Sequence, residues 1–433
     1  MQKRTNIIVC IYGMWGSIEW ILPACKYLRD NHDGVEVTFL ILRKRRKEIF
    51  KSNSELEELT REVTSNECID LSEFLPCWVT FFSNIIVWLE SKMLGIVFRK
   101  LHVLWFKLNW RILGKRQFRM WVNRIKPDIA VMDSDNSGIF NELKKQKIKV
   151  GFFLTSPSFA FSPHVWLDRD KRHRMYAEAP FDFFLVDTIW AEDFFKGIAK
   201  DKSVFRVGCP KFDIFWIDYL KEKFRKSIDK PAGSNFKNIL ILLKNESSVI
   251  FECINFKESL IEMINACLKT KNAALILKPH PRQDIFLLRE IISQYRDANI
   301  TISNEPSFSL ITKADIIVAF PNGVIIDALI LGRPVIEYFD YPALNKTLRD
   351  KFGRIPIGVL GGMGYIEEDG SLTSVFRGFR LVLEANKQDE LELLIIKLIN
   401  GGITPEIKDI RNIFPDNASK KTAEALLTIA HYN

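Results

Sequence analysis

Residues 314–338 read ADIIVAFPNGVIIDALILGRPVIEY, and the fold is decided there. The run 316–320 is apolar without a break, as in a strand covered on both faces. A Pro-Asn-Gly turn follows at 321–323. Residues 323–331 then read as a helix, with Asp327 the one charge between Asp315 and Arg333. Gly332 closes the helix, and 334–338 form a second apolar run. Strand, turn, helix and strand in so short a span make a βαβ unit of a parallel sheet.

Outward from this unit the same alternation recurs. Strands are predicted at 238–243, 273–277 and 299–303, with helices at 257–269, 285–295 and 308–312. The first half repeats the pattern, with strands at 6–11, 35–42, 128–132, 150–154, 183–186 and 204–207 and helices at 18–29 and 55–63. Between the halves, 227–236 (SIDKPAGSNF) is polar and carries Pro and Gly, which suits a linker. The expected fold class is α/β, with two doubly wound Rossmann-like domains facing a cleft. The expected boundaries are 1–226, with a basic and aromatic helical insert at 74–126, then 227–400. A helical segment, 401–433, is expected to return to the first domain. A chain of 433 residues suits that division at ~100–200 residues per domain.

Composition narrows the class. The 7 Cys are scattered with no CxxC, which reads as reduced thiols and leaves no metal-ligand pattern. The opening MQKRTNIIVCIYG is basic and then briefly apolar, and its run stops too soon for a secretion signal. It reads as a first strand, and the expected location is the cytoplasm. The net charge of +9 is concentrated: residues 91–127 hold ten Lys and Arg and no acid. An anionic surface or polymer is the implied partner. Nucleic acid is not expected, because no DNA- or RNA-binding signature accompanies the charge.

Two stretches in the second half carry chemistry. The first is LKPHPR at 277–282, at the exit of a buried strand, where ligands bind in open α/β sheets. Its prolines stiffen the loop, and Lys278, His280 and Arg282 offer donors for phosphate oxygens. The second is the turn at Asn322 and Gly323. Its backbone N–H groups can face an anion, and Gly323 admits close approach. A carboxylate on so apolar a helix as that of Asp327 needs a partner or a purpose, and a ribose hydroxyl pair would suit it.

Together these stretches resemble the donor-binding half of GT-B enzymes. Bacterial capsule and lipopolysaccharide transferases with a KPHP loop show the pattern, including Kdo and sialic-acid transferases and CDP-glycerol transferases. The run 314–338 is also similar to the matching segment of UDP-N-acetylglucosamine 2-epimerases. The resemblance covers about 205–340 and implies a nucleotide-sugar donor, CMP- or CDP-linked among the candidates, and no cofactor. It implies that His280 meets the donor phosphate and Asp327 the ribose. Where those transferases have a serine pair, this chain has Pro321 and Asn322, so phosphate would rest on Asn322 and the backbone. That departure leaves an inactive assembly protein as one alternative and an epimerase as another.

The turn Val207-Gly208-Cys209-Pro210-Lys211-Phe212-Asp213 resembles the G-x-P-x-x-D link between GT-B domains and reads as a hinge. An inverting, metal-independent transfer to a glycan or lipid-linked acceptor needs a base in the first half. Glu19, Asp133 and Asp135 are the candidates, and Asp133 with Asp135 has a DxD metal pair as its second reading. His164 and His173 stand in a polar loop near the expected cleft. The run 74–89 (FLPCWVTFFSNIIVWL) has 16 uncharged residues, short of the ~20 that span a bilayer. Its neighbours Trp105, Phe106, Trp110, Phe118, Met120 and Trp121 alternate with basic residues, as in helices lying in a membrane interface. The expectation is a transferase held peripherally on the inner membrane face; the alternative is a helical insert packed on its own domain.

Overall fold

The computed structural model describes residues 4–12, 15–42, 54–64, 68–76, 79, 82, 104–105, 108–134, 137–154, 162, 180–199, 202–223, 237–356, 359–360, 363–401, 410, 413–414 and 416–431. Two parallel sheets organise them. The first has seven strands: β1 (Thr5–Ile11), β2 (Val35–Ile41), β3 (Ile69–Asp70), β4 (Ile129–Met132), β5 (Lys149–Phe153), β6 (Phe183–Val186) and β7 (Ser203–Arg206), in the order 3-2-1-4-5-6-7. The second has six strands: β8 (Lys237–Leu242), β9 (Ala273–Lys278), β10 (Ile300–Ile302), β11 (Ile316–Ala319), β12 (Val335–Tyr338) and, beyond a hairpin of β13 (Gly364–Ile366) and β14 (Leu372–Ser374), β15 (Leu383–Ala385). Its order, 10-9-8-11-12-15, repeats that of the first sheet. The sequence reading ended this sheet at 334–338, and β15 adds one more strand.

Fourteen α-helices connect the described strands. They are α1 (Trp15–Asn31), α2 (Ser54–Val63), α3 (Lys115–Ile125), α4 (Ser137–Lys145), α5 (Ile189–Ile198), α6 (Ile214–Lys223), α7 (Phe256–Leu268), α8 (Ile285–Ile292), α9 (Ser307–Lys313), α10 (Val324–Ile330), α11 (Tyr341–Phe352), α12 (Val375–Gly378), α13 (Gln388–Ile399) and α14 (Ala418–His431).

Alternate residues of β1 supply two cores, which is why its sequence is apolar throughout. Ile7, Val9 and Ile11 join a layer that runs from α1 and α14 across to Leu310 of α9 and Ile325 of α10. Ile8 and Cys10 face the outer layer with Phe118 and Trp121 of α3. A third layer covers the outer face of the second sheet with α7, α8, α11 and α13. The middle layer is shared by both sheets. The last helix, α14, lies against α1, and its His431 meets the Thr5 hydroxyl at 3.2 Å.

Close packing of adjacent strands leaves room for no side chain at Gly151 in β5. A Cβ there would stand 2.0 Å from the ring of Phe183 on β6. Gly197, in the last turn of α5, would place its Cβ in open space. Gly151→Ala should therefore destabilise by ~1–3 kcal/mol through overpacking. Gly197→Ala should stabilise by ~0.5–1 kcal/mol through helix propensity. Chemical denaturation of the two variants checks the opposite signs.

Candidate functional site

In the second sheet the connections leave β8 and β11 in opposite directions, which makes the gap between them a topological switch point. Leu242 of β8 is in register with Lys278 of β9 and with Ala319 of β11, so the three exits lie abreast. Lys244, two residues past β8, reaches across the gap and donates to the Pro321 carbonyl at 2.7 Å. Burial lowers its pKa, with Glu337 opposing.

His280 lies beside it, half-buried. Its Nδ1 accepts the Arg282 N–H at 3.2 Å, so the neutral ring carries its proton on Nε2 and can donate from there. Burial lowers the His280 pKa first, and the charges of Arg282 and Lys244 lower it further. Glu246 laces the two loops together, accepting from the Asp284 N–H at 3.2 Å and from the Gln283 amide.

The other predicted donors fall differently. Lys278 turns toward the exit of β10, where its ammonium donates to the carbonyls of Asn304 at 3.2 Å and Glu305 at 2.6 Å. Arg282 is exposed. The Asn322 amide is spent inside the chain: its nitrogen donates to the Leu242 and Phe320 carbonyls, and its oxygen accepts the Val324 N–H at 3.0 Å. What this turn offers a ligand is therefore backbone rather than the Asn322 side chain. Gly323 has an ordinary helical φ of −67°, and a Cβ would meet nothing within 4 Å. Neither conformation nor packing within the chain requires glycine at this position.

The first sheet has its own switch point, between β1 and β4. Asp133 spans it, its Oδ1 accepting the Tyr12 N–H at 2.7 Å. Glu19 lies in α1, the helix that leaves this switch point, and Asp327 in α10, the helix that leaves the other. Lys211 joins them. Its ammonium is 2.8 Å from Glu19 Oε2, 2.9 Å from Asp327 Oδ1 and 3.1 Å from Asp327 Oδ2. Burial disfavours the charged lysine, but the two carboxylates outweigh it and hold its pKa above the usual lysine range. Burial raises the Asp327 pKa, and Lys211 pulls it back.

Asp327 thus has a partner inside the chain, and its isolation no longer argues for a ribose contact. Glu19 has likewise committed an oxygen to Lys211. The turn carrying Lys211 holds more than these two helices. Gly208 adopts φ +86°, Phe212 packs on Phe414 at 5.2 Å, and Asp213 accepts the Ser419 N–H at 2.9 Å at the start of α14.

Sequence reasoning missed Lys211 as a charge partner, and it missed Lys244 and Glu246 altogether. Lys244 was signalled by its place directly after the apolar run of the central strand of its sheet. Asp135, His164 and His173 lie outside the described residues.

The sequence matches no protein-family model and no curated protein. The fold has solved counterparts. The UDP-GlcNAc 2-epimerase of Neisseria meningitidis, bound to UDP-GlcNAc, matches with a TM-score of 0.56 at 14% identity, over 98% of this chain and 100% of that one. The UDP-GlcNAc 2-epimerase of Methanocaldococcus jannaschii, in complex with UDP-GlcNAc and UDP, gives 0.52 at 15% identity, over 98% and 99%. At this identity the likeness is one of fold. The described residues have the GT-B architecture.

Removing the charge of Lys211 tests the bridge. The three side chains keep between 17% and 32% exposure, so Lys211→Met should cost ~2–3 kcal/mol, less than the ~3–5 of a fully buried pair. Asp327→Asn in the same chain should restore part of it. The pH dependence has a definite sign. A carboxyl whose folded pKa lies above its unfolded value takes up its proton first in the folded state, so it destabilises at neutral pH and less as pH falls. In Lys211→Met the deficit should shrink from about pH 7 toward about pH 5. Denaturation of the single and double variants at both pH values measures it.

Proposed function

We propose that the chain is a glycosyltransferase. In this reading it moves a sugar or polyol phosphate from a nucleotide-activated donor to a hydroxyl of a surface polysaccharide or glycolipid, with inversion and without metal. One observation carries it: Lys244 crosses the second switch point to the Pro321 carbonyl with His280 beside it, while Lys211 holds the helix leaving the first switch point beside the helix leaving the second. On this reading Lys244 and His280, at the exits of the second sheet, would meet the donor phosphate, and the Asp133 carboxylate, at the exit of the first, would face the acceptor. The KPHP resemblance points the same way.

For a sugar donor, Asp133 would take the proton of the acceptor hydroxyl as its oxygen attacks the anomeric carbon. The bond from that carbon to the phosphate oxygen breaks on the opposite face, and its electron pair stays on the phosphate. Lys244 and His280 answer the charge that develops there. Asp133 is preferred as base because Glu19 is engaged with Lys211. An epimerase would instead remove a proton from the sugar carbon and return one with no acceptor present, so product analysis without acceptor separates the two.

A nucleotide at ~100 times its Kd should add about 2.7 kcal/mol of stability, and His280→Ala should remove the gain. A thermal-shift screen with CMP, CDP, UDP, GDP and their sugars checks this, and silence from all of them would reject the donor site. The His280 pKa lies below its ordinary value, and a bound phosphate would raise it. Binding therefore takes up a proton and should tighten as pH falls through the histidine range, a dependence that His280→Ala should flatten.

Asp133→Asn keeps an oxygen for the Tyr12 N–H. It should preserve donor binding and lower transfer by ~10²–10⁴-fold, the usual contribution of a general base. Unchanged turnover in this variant would exclude Asp133 as the base.

A further inference from the structure

The basic and aromatic segment is left unused by this chemistry. Its inner face is core: Trp110, Phe118, Trp121 and Val122 pack in the outer layer of the first sheet, with Phe74 5.3 Å from the Trp121 ring. Its outer face is not covered in the same way. Leu104, Leu108 and Ile112 follow one another at four-residue spacing and are 64%, 52% and 64% exposed. Met120, further along in α3, is 58% exposed. Between them the turn Trp110–Gly114 is π-helical, with the Lys115 N–H bonded to the Trp110 carbonyl, a local widening that recurs at functional sites.

Cations flank this apolar row. Arg116, Arg124 and Lys126 are exposed beside it. Glu142 of α4 engages Arg119 at 2.5 Å and Lys115 at 3.4 Å, and the sequence supplies no acid anywhere from 91 to 127. Among the described residues no helix is long and apolar enough to cross a membrane. Exposed large apolar side chains with cations beside them match a surface that is anionic outside and apolar beneath.

We infer that the exposed face of residues 104–105 and 108–126 docks on an anionic lipid surface, with Leu104, Leu108, Ile112 and Met120 entering the acyl boundary. Arg116, Arg124 and Lys126 then lie at the level of the headgroups. A soluble acidic polymer would use the cations and leave the apolar row unused. A second copy of the chain would set the same cations against each other. The inference is independent of the reaction proposed above.

Flotation of the full chain tests it, with phosphatidylcholine vesicles made with and without phosphatidylglycerol. The chain should float with the anionic vesicles at low salt and much less with the neutral ones. Arg116→Glu with Arg124→Glu should weaken partition by about fivefold or more per cation lost, at ~1 kcal/mol each. Leu108→Gln with Ile112→Gln should weaken it at least tenfold, since each buried CH₂ contributes ~0.8 kcal/mol. Unchanged melting temperatures would show that both pairs of variants fold.

No flotation of the parent with anionic vesicles overturns the inference, as does equal flotation with neutral ones. Parent-like flotation of either variant removes this face from the contact. Displacement by a soluble acidic polysaccharide, with the Gln variant unaffected, assigns the surface to a glycan. A concentration-dependent dimer that the Gln substitutions abolish assigns it to self-association.

Discussion

Lys211 holds three carboxylate oxygens on two helices that start from different sheets, and the space between those sheets takes its shape from that contact. Apolar layers tolerate sliding, because dispersion and burial have little direction. An ammonium held within about 3 Å of its partners does not. At an effective dielectric near 20, a pair 4 Å apart gains about 4 kcal/mol before desolvation, and removing the three groups from water offsets much of it. The contribution is then less to overall stability than to relative position. The same short turn grips α14 through Asp213 and Phe414 through Phe212. One local feature therefore ties the first helix, the last helix and α10.

The parallel sheets explain why these helices matter. In each sheet the order 3-2-1-4 leaves one gap at the carboxyl edge where connections diverge. A helix leaves that gap in each half, α1 and α10. Holding α1 beside α10 brings the two gaps to one space, which neither sheet can do alone. Asp133 borders one gap and Lys244 the other, each tied to the loop across from it by a bond of 2.7 Å. Each bond thus joins the exits of two neighbouring strands.

The strands buried on both faces were legible because their sequence has to be apolar without interruption. Those missed were short. β3 has two residues and β15 three, too few to show any period. Residues 339–400 held no run that stood out, yet Arg377 lies there, 2.9 Å from the buried Glu337 of β12. Pairings of this kind are invisible to local spacing. Asp327 and Lys211 are 116 positions apart, so an acid that looked solitary in sequence was read as waiting for a ligand. Lys278 misled for another reason. Its residue type suited phosphate, but the ammonium is taken by the carbonyls of Asn304 and Glu305. His280 lies two residues past the end of β9 and is half-buried.

The directions of the pKa shifts separate cations that serve the fold from those suited to a ligand. Lys211 lies above the ordinary lysine range because carboxylates surround it, and a further anion would find its charge already answered. Lys244 and His280 are displaced the other way. Burial has taken water from them, and the nearby acids, Glu337 for one and Glu246 for the other, do not reverse the loss. The charged form of either group is favoured by whatever negative charge enters beside it. Lys244 reaches the turn before Gly323 through the Pro321 carbonyl, and a Cβ added at Gly323 would meet nothing within 4 Å. Lys278 is also lowered, and its ammonium has two carbonyl acceptors against the one, Pro321, that Lys244 has. Sequence alone ranks Lys278 with His280. The balance of burial against internal partners ranks Lys244 with His280 instead, and under the proposed function these two, rather than Lys278, would meet the phosphate.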